Sequence, residues 1–458
     1  MRTLMGIETE YAVMAHGQPS QEISRHQFVD WLFTSAMRDL CSLPDLSAPG
    51  VYLENGSRLY LDTGSHPEFS TPECLTPRDA VRYALAGDRI MSSLLNSAAR
   101  GRKSPEMAIY RSNVDYSGSK STWGCHESYL HRSDPESLPA HVIPHLVSRI
   151  IYTGAGGFSN VSKGVDFTLS PRVPHLVRIS SSESTAARGI FHTKNETLSG
   201  GRFNRMHVLC GESLCSHLGN LLKMGTTALV VLLVDAGRSP APRVRFRNPV
   251  KAMRCFAADP SCTSAAELTS GKQVTAIEVQ RVFLKAAEEL VASGQAPGWS
   301  QEVCHEWRRV LEQLEQAPAS IRTSLDWGIK LAIYRDRVER AGLRWGSRAM
   351  LRLRDQLLEL DTRFADISPK GIFNMLDGAG VLSHQRLAPS EIQDAVYNPP
   401  QSGRARKRGG YIRQMSNERL RYRCAWQRIY DRGQKRTLNL ADPFGEIAEF
   451  WEPGTGSV

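Results

Sequence analysis

The stretch Asn55–Glu73, NGSRLYLDTGSHPEFSTPE, packs a cation, a phenol and several carboxylates into one short span. After an Asn-Gly turn signal it alternates as a strand, with Arg58, Tyr60 and Asp62 on one face and Leu59 and Leu61 on the other. A Gly-Ser-His-Pro corner follows, and then Glu68, Thr71 and Glu73. Such a face is either the solvated side of an edge strand or a ligand set for something charged. Two further stretches repeat the pattern. In residues 4–14, Glu8 and Glu10 point the same way beside Gly6. Two like charges side by side repel unless a cation neutralises them. Facing inward they are a divalent-metal site; facing outward they are simply solvated. In RMHVLCG, residues 205–211, Arg205 and His207 share a face, and the plain alternative for His207 is a satisfied core histidine. Together, carboxylates, a histidine and arginines on one sheet face suit Mg²⁺-nucleotide chemistry. Mg²⁺ prefers oxygen ligands and substrate phosphates, and arginines stabilise charge on a transferring phosphoryl group.

These residues need strands to present them and helices to back the strands. Alternation predicts strands at 4–14, through Asn55–Glu73, at Met107–Asn113, at Gly124–Leu130 (with His126 and Glu127 side by side) and at 205–211. Apolar spacing predicts a helix over 20–42, and another after Thr76-Pro77, a cap and first position. Pro144–Tyr152 reads as helix or buried strand, and Leu214–Ala236 as a buried central helix. Four amphipathic helices follow, at Ala276–Ser293, Ser300–Gln316, Leu325–Ala341 and Met350–Leu360, as a layer covering the sheet. Residues 44–50 and 180–204 read as loops, and Leu420–Tyr430, with Trp426, as an alternating run. The loop DYSGSKSTWG, residues 115–124, suits phosphate through its backbone N–H groups. It is not a Walker A motif, because Ser119 precedes Lys120 where that motif needs Gly.

The chain has 458 residues, 41% hydrophobic and 23% charged, enough for a large core without disulfides. Its nine cysteines are scattered, odd in number and without a CxxC, which points to a reduced cytoplasmic protein. The acidic, apolar-poor start MRTLMGIETEY is not read as a signal peptide, and Thr226–Val234 is too short to span a bilayer. A net charge of +10 suits phosphate-bearing substrates or an acidic protein partner. Nucleic acid is not supported beyond charge, since no recognition signature accompanies the basic residues.

The sequence resembles the Pup ligase/depupylase family, which is related to the glutamine synthetase and γ-glutamyl-cysteine ligase fold. The resemblance is carried by MGIETEY, NGSRLYLDTGSHPEFSTPEC, SNVDYSGSKSTWGCHESYL, RMHVLCGE, LLKMGTTALV, NPVKAM, LDWGIK, KGIF and NPPQSGRAR, in that order over nearly the whole chain. It implies an α+β fold, with a curved antiparallel sheet backed by helices. It implies a catalytic Mg-ATP-binding domain over 1–397 and a small C-terminal domain, 398–458, contributing to the nucleotide site. It implies an enzyme that uses ATP and Mg²⁺ to phosphorylate the C-terminal glutamate side chain of the small protein Pup and joins it to a protein lysine as an isopeptide. By motif, Glu8, Tyr60 and Glu68 would bind Mg²⁺, with Glu10 and His207 completing the metal site. Arg58, Thr71 and Trp426 would contact ATP, Arg205 would face the phosphates, and Asp62 would be the base that deprotonates the attacking lysine. The short loop before Asn55 favours the ligase branch over the depupylases. Residues 191–200, Gly211-Glu212-Ser213-Leu214 and His126-Glu127-Ser128 depart from the family pattern. The departures leave open a phosphotransferase with a non-Pup acceptor, a depupylase/deamidase, and a silent Pup-binding module.

Overall fold

The structure is a computed structural model. It describes residues 1–16, 25–62, 64–99, 106–119, 121–183, 187–193, 198–199, 201–383, 386–401, 403–447 and 449–453. Lys120 and the start of the expected 20–42 helix lie outside the described residues, as does part of 191–200. The chain forms two compact units. One, the carboxylate unit, comprises 4–110, 196–205 and 387–458; the other, the helical unit, comprises 1–3, 111–195 and 206–386.

The carboxylate unit is built on an antiparallel sheet that begins from the Met5–Glu10 strand. Pro67–Ser70 pairs with that strand, Arg58–Leu61 with Pro67–Ser70, Gly50–Leu53 with Arg58–Leu61, and Ser42–Pro44 with Gly50–Leu53. The Asn-Gly signal makes the turn expected of it. Gly56 takes φ +84°, its N–H donates to the Leu53 carbonyl at 2.8 Å, and Asn55 Oδ1 accepts from the Ser57 N–H. Helix Pro77–Ala99 starts where its cap predicts, with Thr76 Oγ1 accepting from the Asp79 N–H at 3.0 Å. A second sheet closes the chain, in the order Tyr422–Ala425, Arg428–Asp431, Arg436–Asn439, Phe450–Pro453. Its inner face, Cys424, Ile429 and Leu438, shares one core with Leu43, Tyr52 and with Ile412 of helix Gly403–Met415.

In the helical unit, residues 206–208 of the Asn204–Val208 strand pair with Gly189–His192 through His207 and His192, and the parallel Arg178–Ser181 follows. The helix His217–Asp235 runs through the core. Among the described residues it alone is long and apolar enough to cross a membrane, and 94% of its most apolar window is buried inside the protein. Helices Ala276–Ala292, Ser300–Gln316, Asp326–Arg340 and Arg354–Phe364 match the amphipathic periods. The first of them is fixed by a reciprocal capping box between Thr275 and Glu278.

Several expectations are corrected. Residues 4–14 are not one strand. The chain turns off at Tyr11, whose side chain is buried with its hydroxyl on Asp88, and Ala12–His16 pairs instead with Glu106–Tyr110. The 20–42 helix is described over Arg25–Asp39, and Ser42–Pro44 is already strand. The segment 180–204 is not a loop system, because Gly189–His192 is a strand buried at every position. Leu420–Tyr430 is a hairpin rather than a single run, with Trp426 in its two-residue turn. Pro144–Tyr152 divides between helices Leu138–Ser148 and Ile150–Thr153, and the helix expected from Met350 opens with a 3-10 turn over Arg348–Leu353.

Candidate nucleotide and metal site

In antiparallel pairs, residues directly opposite each other point to the same face. Glu10 stands opposite Glu68, and Glu68 opposite Tyr60. One step along, Glu8 stands opposite Ser70, and Ser70 opposite Arg58. The register therefore places Glu8, Glu10, Arg58, Tyr60 and Glu68 on one face of one sheet. Beyond Tyr60 the row ends at Gly50, where a Cβ would lie 2.7 Å from that of Tyr60. Only glycine lets the two strands meet there.

Cations hold this face together. Arg205 donates to Glu8 Oε1 at 2.9 Å. His66 Nδ1 lies 3.1 Å from Glu10 Oε2 and 3.6 Å from Asp62 Oδ2, while the His66 N–H donates to Asp62 Oδ1 at 2.5 Å. The corner that brings His66 back is tight, with Ser65 at φ +59° and its N–H on the Asp62 carbonyl. Burial alone would lower the His66 pKa, but the hydrogen bonds and charges of Asp62 and Glu10 outweigh it and raise it to about 9. Burial pushes Asp62 upward, yet the His66 contacts win and hold its carboxyl below the ordinary value. Glu68 goes the other way. Burial, reinforced by the charges of Glu8 and Glu10, raises its carboxyl well above the usual range despite its hydrogen bond with Tyr60. Burial, followed by the charges of Glu68 and Glu8, likewise keeps the Tyr60 phenol protonated.

Arg58 is held from behind. Its Nε donates to Asp45 Oδ2 at 2.5 Å, and Asp45 Oδ1 accepts from the Ser47 N–H and hydroxyl. The guanidinium carbon lies 3.9 Å from the centre of the Tyr60 ring and 5.7 Å from that of Tyr52. The guanidinium is thus fixed on one side by Asp45 and on another by the Tyr60 ring. Tyr52 meets Trp426 edge to face at 5.3 Å, which brings the C-terminal hairpin to the same group. Thr71 is buried. Its hydroxyl accepts from the Ile7 N–H at 3.0 Å, and its own N–H donates to the Ile7 carbonyl, so it ties the end of the Pro67–Ser70 strand to Met5–Glu10.

The structure thus gathers Glu8, Glu10, Arg58, Tyr60, Asp62, Glu68, Thr71, Arg205 and Trp426 within the carboxylate unit. His207 belongs to the helical unit. There it faces His192 across the strand pair and packs edge to face with His192 and His126, each at 5.5 Å. Two residues that hold these groups in place carry no clear signal in the sequence. Asp45 sits in a segment read as loop, and nothing in its spacing pairs it with Arg58. His66 was visible in the Gly-Ser-His-Pro corner, but only the reversal of the chain at Ser65 turns it onto both Asp62 and Glu10. Among the described residues of this unit, ligand atoms of Glu10, Asp62 and His66 lie within 4.8 Å of one another, and the opposed oxygen donors Glu10, Glu68 and Tyr60 are of the type a hard divalent cation takes.

A family profile described as Pup-ligase protein matches residues 3–430. A protein of Sanguibacter keddieii named Pup--protein ligase is 31% identical, over 98% of this chain and 97% of its own length. One of the same name from Xylanimonas cellulosilytica is 32% identical, over 98% of both. Among solved structures, the complex between prokaryotic ubiquitin-like protein Pup and its ligase PafA matches with a TM-score of 0.83 at 25% identity, covering 98% of this chain and 89% of that one. PafA in complex with ADP matches in fold with a TM-score of 0.78 at 24% identity, covering 95% and 94%.

Proposed function

This chain belongs to the Pup-ligase protein family, and from that premise we propose that it is an ATP-dependent ligase joining the C-terminal glutamate side chain of Pup to protein lysines. The observation that carries the reading is the register of Glu10, Glu68 and Tyr60 beside Glu8 and Arg58, with Asp62 at the end of the same strand. Glu8, Tyr60 and Glu68 would hold Mg²⁺, with Glu10 at the edge of the set. The bound cation would neutralise phosphate oxygens as a Lewis acid. Arg58, clamped through Nε by Asp45, presents its remaining donors to the nucleotide. Arg205 balances Glu8 and stands ready for the phosphates. Trp426 supplies an aromatic surface for ATP from the 398–458 segment, which we read as the small C-terminal part of the nucleotide site behind a catalytic 1–397. Asp62 stays ionised beside His66 and accepts the proton of the attacking lysine. Thr71 would contact the nucleotide, at the point where its hydroxyl ties the strand that carries Glu68 to Ile7. Nine free thiols fit a reducing cytoplasm.

Of the departures from the family pattern, Glu212 has a structural explanation. It is buried and accepts from the Ala155 N–H, the Arg172 N–H and the Ser170 hydroxyl. The test is incubation with Mg-ATP, with and without Pup, following ADP and conjugates. ADP and a protein–Pup conjugate formed only when Pup is present support ligation. Phosphate transfer without Pup replaces it with a phosphotransferase, and release of Pup from conjugates without ligation replaces it with a depupylase.

A further inference from the structure

One buried cation stands outside these roles yet holds both ends of the stretch that carries them, together with the Trp426 turn. Arg408 is fully buried. Its Nη2 donates to the Gly56 carbonyl and to Glu73 Oε2, both at 2.6 Å; its Nη1 donates to the Trp426 carbonyl at 2.9 Å and to Glu73 Oε1 at 3.2 Å. Its guanidinium carbon also lies 4.7 Å from the centre of the Trp426 ring and 5.8 Å from that of Tyr52. Gly56 and Glu73 mark the two ends of the stretch that carries Arg58, Tyr60, Asp62 and Glu68. Arg404 grips the same carboxylate, at 2.7 Å from Glu73 Oε1, and adds the carbonyls of Leu198 and Ala441.

Trp426 sits in a two-residue hairpin turn, where backbone is ordinarily loosely held. Here its carbonyl is taken by a planar donor that also grips a carboxylate in two places, and its ring lies on that donor. A bidentate guanidinium fixes direction as well as distance. We infer that Glu73 and Arg408 are positioning residues for the nucleotide: Glu73 orients Arg408, and Arg408 holds the Trp426 turn level with Tyr52 and Arg58. This rests on the reading of Trp426 as a nucleotide contact.

The test is ADP affinity by calorimetry together with KM and kcat for ATP. The variants are Trp426→Ala, Arg408→Lys, Glu73→Gln and the double variant Arg408→Lys/Trp426→Ala. Loss of base stacking at Trp426 should weaken ADP roughly tenfold. Arg408→Lys keeps a charge on Glu73 but loses the planar fork, and should weaken ADP by roughly three- to tenfold. The loss should appear in KM rather than kcat, and the double variant should bind no more weakly than Trp426→Ala. A merely structural role lowers the folded fraction, and therefore kcat, at unchanged ADP affinity. Parent-like ADP affinity in Arg408→Lys and Glu73→Gln beside a weakened Trp426→Ala, or additive losses in the double variant, overturns the inference and leaves the nucleotide reading standing. Parent-like affinity in Trp426→Ala overturns the premise itself. If Arg408→Lys does not fold, the isosteric Glu73→Gln decides by the same split.

Discussion

Two kinds of carboxylate stand in this protein, one cancelled by arginine within the fold and one crowded against other acidic groups. In the helical unit, Glu127 is fully buried and grips Arg149 through both oxygens, at 2.6 and 2.8 Å. Tyr129 donates to the same carboxylate at 2.6 Å, and Arg149 reaches Thr227 and the Lys223 carbonyl as well. Charge is cancelled inside the fold, as a buried pair requires. In the carboxylate unit, Glu8 leans on Arg205, Glu10 and Asp62 share one histidine, and Glu68 is pressed upward in pKa by burial and its acidic neighbours. A carboxylate cancelled by a forked arginine is architecture. Carboxylates set opposite one another in a sheet repel unless a cation or a proton neutralises one of them.

That contrast can be broken or sharpened by measurement. Asp62→Asn should lower the ligation rate by about 10²–10⁴-fold, the range for losing a general base, at parent-like ADP affinity; if ADP binding disappears as well, Asp62 is part of the nucleotide site instead. Arg149→Met should do the opposite. It strands Glu127 and costs on the order of 3–5 kcal/mol of stability in urea unfolding, with nucleotide affinity of the folded fraction intact.

Glu73 tests the arginine-cancelled kind of carboxylate by pH. Burial raises its pKa, but Arg408 and Arg404 overcome this and bring it from the ordinary 4.5 to about 2. A folded pKa below the unfolded one gives stability that is full above about pH 4.5 and is lost as the pH falls toward 2. The loss is on the order of 3 kcal/mol, and Glu73→Gln should remove that part of the acid limb. The smallest effect belongs to Glu68→Gln. Removing one opposed acid should leave the metal-free protein slightly more stable, by about 0.2–1 kcal/mol, while abolishing the upward Tm shift expected of Mg²⁺ in the parent. A Mg²⁺ shift that survives the substitution removes Glu68 from the donor set.

Much of this was legible before any coordinates, because it is local. Strand alternation follows from the pleat and has a period of two, so the shared face of Arg58 and Tyr60, and that of Glu8 and Glu10, could be read directly. The Asn-Gly turn, the Thr76 cap and the Thr275–Glu278 box follow from short-range hydrogen bonding. What failed locally failed for tertiary reasons. Between its two strands Tyr11 buries its side chain with its hydroxyl on Asp88, a partner 77 residues away that no local pattern announces. Residues 189–192 looked polar in their neighbourhood, yet are buried because two strands flank them.

By itself, then, the sequence determined which side chains share a face, where the chain turns, and the family whose chemistry the motifs resemble. Only the tertiary structure decided that Glu10, Glu68 and Tyr60 stand in one row, since register belongs to pairs of strands and not to either alone. Only it turned Asp45 onto Arg58 across 13 residues, His66 onto Glu10 across 56, and Arg408 onto Glu73 across 335. Those bonds have no local periodicity to announce them. They form because charges removed from water must find partners, and the fold alone determines which charges are removed together.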